Sequence, residues 1–258
     1  MIRKLTLALF LPLCIAAPAS TAQVSAAPNT MLLASLEWLP YVGAQLDQEG
    51  WSGFVADLAA RQFGYRTKIE YFPWTRAMQL GMKDPQYAGY FPAYYTEERA
   101  RQCHFSAPIG SSTVGFAYLR NAPLQWNALQ DLASLRVGVV AGFSNGPAFD
   151  NAVRDGKLNP DASPSDMLNL RKLLAGRVDA VVIDKLVLRY LLATEPSLAR
   201  DRHQFVFHEK PLAELSLHVC FQHTERGREL QKAFDRALQG MQLRKLESEY
   251  FQQLDRRQ

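Results

Sequence analysis

Beyond its first segment the chain holds no apolar stretch long enough to cross a bilayer, no internal repeat and no low-complexity tract. The first absence argues against an integral membrane protein. Charge of one sign is missing too. Lys and Arg number 29 against 25 Asp and Glu, and no basic run is dense enough to suggest nucleic acid. Cysteine is scarce, with three in 258 residues. No second cluster of His or Cys supports the weak His218, Cys220, His223 grouping, so no metal and no cofactor is expected.

What is present begins with "MIRKLTLALFLPLCIAAPASTA", in which Arg3 and Lys4 precede an apolar run from Leu5 to Ala17 and small residues up to Ala22. That is the layout of a cleaved secretory signal, expected over residues 1–22, and it predicts an exported, periplasmic, soluble protein. Leu13 before Cys14 is too large for a lipoprotein signal, so Cys14 is expected to leave with the leader. Losing Arg3 and Lys4 lowers the formal charge from +4 to +2, near balance. Cys103 and Cys220 then remain, and an even count in an oxidising compartment favours a disulfide.

The body of the chain reads as two cycles. Residues 31–36 form a strand. Ser52 is placed to cap a helix in which Phe54, Val55, Leu58, Ala59 and Phe63 share a face, and Gly64 stops it. "TKIEYF", "WTRAMQLGM" and "YAGYFPAY" continue as strand, helix and strand, a β-α-β-α-β order that predicts a parallel sheet covered by helices. An extended piece at 113–119 leads to a second cycle: "LRVGVVAG", helices over "NGPAFDNAVRDG" and "SPSDMLNLRKLLAG", the strand "VDAVVI", a helix over "DKLVLRYLLA" and the strand "HQFVFH". A second extended piece at 215–221 returns, and two helices close the chain, the last over 241–254. The chain thus leaves one α/β lobe, builds another and comes back. Two connecting strands make a hinge, and the loops at the strand ends should face the cleft between the lobes.

In this order and at these spacings, "LPYVG", "GWSGFVADLAARQFG", "PWTRAMQLGMKD", "TEERARQCHFSAPI", "LRVGVVAG" and "LLAGRVDAVVID" resemble the extracellular solute-binding proteins of family 3, over essentially the whole mature chain. The resemblance implies a type II periplasmic-binding-protein fold. Residues 23–115 with 217–258 would form lobe 1, and residues 116–216 lobe 2. It implies a monomer that captures a small amino-acid-like or carboxylate-bearing solute for an inner-membrane ABC permease. It places Arg99, in the segment opened by Thr96, on a ligand carboxylate, and Asp184 on an ammonium. Trp38 or Tyr41 and Trp74 become aromatic walls, and the turn holding Gly142 and Ser144 is expected to offer backbone N–H groups. It also makes the strands of Cys103 and Cys220 neighbours, hence a Cys103–Cys220 disulfide. A guanidinium suits a carboxylate bidentately. By position Asp184 reads equally as a helix N-cap, in place of the ligand contact or beside it.

The chain departs from that family at "FPAYYTEER", where Pro92 and Tyr94 stand in place of glycine and a small hydroxyl residue. A smaller or differently shaped pocket is expected, or one built for something other than a standard amino acid. Two enzyme readings compete with capture. "GFSNG" matches G-x-S-x-G, with Ser144, Asp184 and then His203, His208 or His218 in hydrolase order, but no His-Gly oxyanion segment lies upstream. A dehydratase on the same scaffold would need a cleft acid, for which Glu37 beside Trp38 is the candidate. A sensory domain serving a membrane receptor is a third alternative. The expectation is of no catalytic residue.

Overall fold

The computed structural model describes residues 29–257, so the expected leader and Cys14 lie outside the described residues. The first cycle runs β1 (Asn29–Ser35), α1 (Gly50–Arg61), β2 (Tyr65–Tyr71), α2 (Trp74–Lys83) and β3 (Gly89–Tyr94). A single helical turn, α3 (Glu97–Ala100), and a short strand, β4 (Cys103–Phe105), lead into the long β5 (Gly110–Leu119). The second cycle is β6 (Val137–Val140), α4 (Pro147–Arg154), β7 (Asp161–Ser163), α5 (Asp166–Leu174), β8 (Ala180–Asp184), α6 (Lys185–Thr194) and β9 (Phe205–Phe207). The long β10 (Ala213–Gln222) returns, followed by α7 (Glu225–Gln239) and α8 (Leu243–Arg257).

The strands form one sheet in the order β2-β1-β3-β10-β5-β8-β6-β7, with β4 also on β10 and β9 on β5. At each end lies a parallel trio: β1 between β2 and β3, and β6 between β7 and β8. Two antiparallel strands, β5 and β10, pair from Gly110 opposite Leu217 to Val114 opposite Ala213 and join the trios. These are the hinge strands of a two-lobe α/β architecture. β3, β6 and β8 are buried along their whole lengths, which is why they read as near-continuous apolar runs rather than alternating ones.

Helix starts follow local chemistry. The hydroxyls of Thr96, Ser165 and Thr224 accept from the backbone N–H groups of Arg99, Leu168 and Gly227, and Asp184 caps α6. Ser52 is not a cap. α1 begins at Gly50, and Ser52 is buried inside it, its N–H donating to the Tyr41 carbonyl at 2.7 Å. The preceding residues Gln48 and Glu49 carry positive φ, and Gly50 follows at +86°, so a left-handed turn rather than a side chain delivers the chain into the helix. The last helix starts two residues later than the sequence suggests and runs on to Arg257. Cys103 and Cys220 form a disulfide with Cα atoms 5.6 Å apart, clamping β4 to β10. No helix of the described residues is long and apolar enough to cross a membrane.

Candidate functional site

The first lobe supplies one wall of the cleft. After β1 the chain turns tightly, with the Trp38 carbonyl accepting from the N–H groups of Tyr41 and Val42, and this stacks the Trp38 and Tyr41 rings at 4.5 Å. Trp74 opens α2, and Pro92 and Tyr94 end β3 on one face of the strand. Arg99 is held by its own neighbourhood. Thr96 caps the turn that carries it, and its Nη1 donates to the Tyr94 carbonyl at 3.0 Å. Its guanidinium carbon lies 5.8 Å from the Trp74 ring centre. Burial pulls the Arg99 pKa below its ordinary value, opposed by Tyr90 and Asp150.

The second lobe meets this wall with the loop between β6 and α4. Gly142 has φ +77°, and its carbonyl accepts from Arg99 Nη2 at 2.8 Å and from Trp74 Nε1 at 3.0 Å. The loop thus presents a carbonyl acceptor to lobe 1, a contact the sequence does not suggest, while its Phe143 and Asn145 N–H groups go to the Val140 carbonyl and Asp150. Phe143 stands edge-on to both Trp38 and Trp74. Ser144 donates to Asp150, whose other oxygen accepts from the Asn145 N–H at 2.9 Å, fixing the loop to the first turn of α4. Between the lobes a cavity of about 20 Å³ remains, lined by Leu36, Trp38, Trp74, Pro92, Tyr94 and Arg99 on one side and Phe143 and Ser144 on the other. That is room for about one water molecule.

Asp184 is near the cleft but does not line the cavity. Its Oδ1 accepts from the N–H groups of Leu186 and Val187, at 2.7 and 2.9 Å. Its Oδ2 accepts from the Ser112 hydroxyl at 2.6 Å and the Tyr41 hydroxyl at 3.1 Å. Since the Ser112 proton goes to Asp184, the 2.6 Å bond between Ser112 and Tyr94 must be donated by Tyr94. Burial pushes Asp184 up to about 6, against the pull of these hydrogen bonds. Asp166, at the start of α5, is pushed up to about 7 by burial and by Asp184, with the Trp38 indole N–H acting the other way. Burial also raises Tyr41 and Tyr94, reinforced by Asp184.

Of the residues the sequence singles out, Trp38, Trp74, Tyr94, Arg99 and Ser144 line the cavity. Gly142 contributes its carbonyl, Tyr41 lies one layer behind Trp38, and Thr96 acts through Arg99. Leu36, Phe143, Ser112 and Asp166 were missed. Phe143 lay inside the quoted glycine turn, and Asp166 inside "SPSD", where a first-turn acid reads as a capping feature. Nothing in the sequence marks Ser112, which is defined by the pairing of β5 with β8 and β10.

The hydrolase arrangement does not form. Ser144 is bonded to Asp150, His218 joins Ser216 and the Ser106 carbonyl, and His208 packs against Trp126. Cys220 is committed to the disulfide, and no group of three or more metal-ligating side chains occurs among the described residues. Glu37 is exposed and accepts from the Ala44 N–H at 3.2 Å, so it is no cleft acid.

No family profile and no curated protein matches this sequence. Solved structures do. A histidine kinase sensor domain, described as similar to periplasmic binding proteins, has TM-score 0.72 at 17% identity over 87% of this chain and 96% of that one. The fold is that of the periplasmic binding proteins. A mutant of the arginine-binding protein of T. maritima gives TM-score 0.71 at 17% identity, covering 87% of this chain and 96% of that one. The GluR0 ligand-binding core from Nostoc punctiforme, solved with L-glutamate, gives 0.68 at 20% identity, covering 86% and 99%. At such identities the likeness carries the two-lobe architecture.

Proposed function

We propose that the protein is an exported, monomeric solute-binding protein of the family 3 type. It would close residues 23–115 and 217–258 over residues 116–216 around a small carboxylate-bearing solute, for delivery to an inner-membrane ABC permease. One observation carries the reading. Two donors of lobe 1, Arg99 Nη2 and Trp74 Nε1, converge on a single oxygen of lobe 2, the Gly142 carbonyl. That oxygen stands in for a carboxylate oxygen, so a solute would displace the loop from the same pair of donors. A charge-assisted contact with aromatic cover is the chemistry of carboxylate capture. Among the described residues the cavity lining offers no carboxyl or imidazole to move a proton, which supports capture over turnover. The cavity's small volume supports ligand-dependent opening and reclosure about β5 and β10.

Calorimetric screening of the purified protein against L-amino acids and small organic acids tests this. Arg99→Ala should weaken any carboxylate ligand about tenfold to a hundredfold. Unchanged affinity sinks the assignment. The likeness to a histidine kinase sensor domain favours one further role for the same capture, presentation of the solute to a membrane receptor. Solute uptake by cells lacking this protein separates the two. Loss of uptake supports the permease, and retained uptake with lost signalling supports the receptor.

A further inference from the structure

We propose that the captured solute is an apolar-bodied carboxylate carrying no ammonium group, an inference that rests on the capture reading above. Among the described residues lining the cavity, Arg99 is the only charged one, and Leu36, Trp38, Trp74, Pro92 and Phe143 make the walls apolar. A zwitterion needs an acceptor for its cationic end, and no carboxylate of the described residues lines the cavity.

Asp184 accepts four hydrogen bonds, two from backbone N–H groups and two from hydroxyls. A carboxylate has about four acceptor positions, so none remains. Reaching it would require breaking the Tyr94–Ser112–Asp184 chain, whose members are all at least nine-tenths buried and would be left unpaired. Asp166 lies near Trp38, which lines the cavity, and does not itself line it. Asp150 accepts from Ser144 and the Asn145 N–H and does not line the cavity. Aromatic faces and neutral oxygens are the remaining cation acceptors, but Tyr41 covers one face of Trp38, Trp74 already lies beneath the Arg99 guanidinium, and the Gly142 carbonyl and Ser144 hydroxyl carry no counter-charge. An ammonium drawn into this cavity would lose its water, gain no counter-charge and face Arg99. A carboxylate on an apolar body meets none of these obstacles.

Matched pairs decide it: phenylpropanoate against L-phenylalanine, and isocaproate against L-leucine, titrated calorimetrically into the full exported protein at neutral pH. Each pair differs only by the ammonium group. The deaminated acid should bind at least about tenfold tighter in its pair, and Arg99→Ala should weaken that binding about tenfold to a hundredfold. If the amino acid binds tighter while still depending on Arg99, the inference falls and the capture reading stands. If neither pair binds at all, the apolar-acid assignment falls, and the amino-acid and organic-acid screen then decides capture by itself.

Discussion

The Tyr41 hydroxyl, on the first lobe, and Asp184 Oδ2, on the second, lie 3.1 Å apart in a buried hydrogen bond. This joins the lobes through an acid that burial holds at about 6, with Asp166 nearby at about 7. Both values are above those of an unfolded aspartate. The folded state therefore holds extra protons, and the resulting stabilisation is full below the unfolded pKa. It is lost as pH rises through about 6 for Asp184 and about 7 for Asp166. His104 and His218, which burial lowers, act oppositely as pH falls below the ordinary histidine value. Between about pH 6 and 8 the Asp166 contribution should fall as pH rises. Asp166→Asn should therefore make the melting temperature of the variant rise relative to wild type as pH rises through this window. A difference between the two that does not change with pH refutes the assignment.

Two hydroxyls in the first lobe and hinge should respond oppositely to removal. The Tyr90 hydroxyl is fully buried, has no hydrogen-bond partner and lies near the Arg99 charge. Tyr90→Phe removes an orphan and should leave stability unchanged or raise it by about 1 kcal/mol. Ser112→Ala instead breaks a relay between Tyr94 and Asp184 and should cost about 1–3 kcal/mol. Urea denaturation of both variants checks the contrast, and equal losses would count against this account of the network.

The two cycles were legible because each rests on local signals, among them apolar runs such as "VGVV" and "AVVID", capping residues such as Ser165 and glycine stops such as Gly64. Arg99 was legible only through its setting in a longer pattern, since an arginine after two glutamates reads by itself as a solvated turn. What stayed hidden is non-local. The outward turn of the Gly142 carbonyl depends on φ, and the saturation of Asp184 depends on Tyr41 and Ser112, which lie 143 and 72 residues away in sequence. Ser52 failed as a cap because the positive φ values at Gln48 and Glu49 leave no trace in residue type.

The disulfide closes a loop of 117 residues. Chain-entropy arithmetic gives such a link about 5 kcal/mol of stability. Paired Cys103→Ala and Cys220→Ala substitution should cost about that much in urea. Alkylation of the unfolded, unreduced protein should label neither position. Labelling of both would show that the thiols are free.

Gly142 governs how tightly the lobes meet without a solute. A Cβ placed there would stand 3.2 Å from Thr75 Cγ2 and 3.3 Å from Met78 Cε and Trp74 Cδ1, on a backbone at φ +77°. Alanine dislikes that region by about 1–2 kcal/mol, so Gly142→Ala should rotate the peptide and withdraw its carbonyl from Arg99 and Trp74. Both donors would be left without their lobe 2 acceptor, and the loop carrying Phe143 would loosen from the indoles. Acrylamide quenching of tryptophan fluorescence in the solute-free variant should rise, and solution scattering should report a larger radius of gyration. On the capture reading proposed above, a carboxylate solute would supply the missing oxygen, so adding one that binds should restore the wild-type quenching. If quenching and radius both match wild type before any solute is added, the Gly142 carbonyl is not what holds the empty cleft shut.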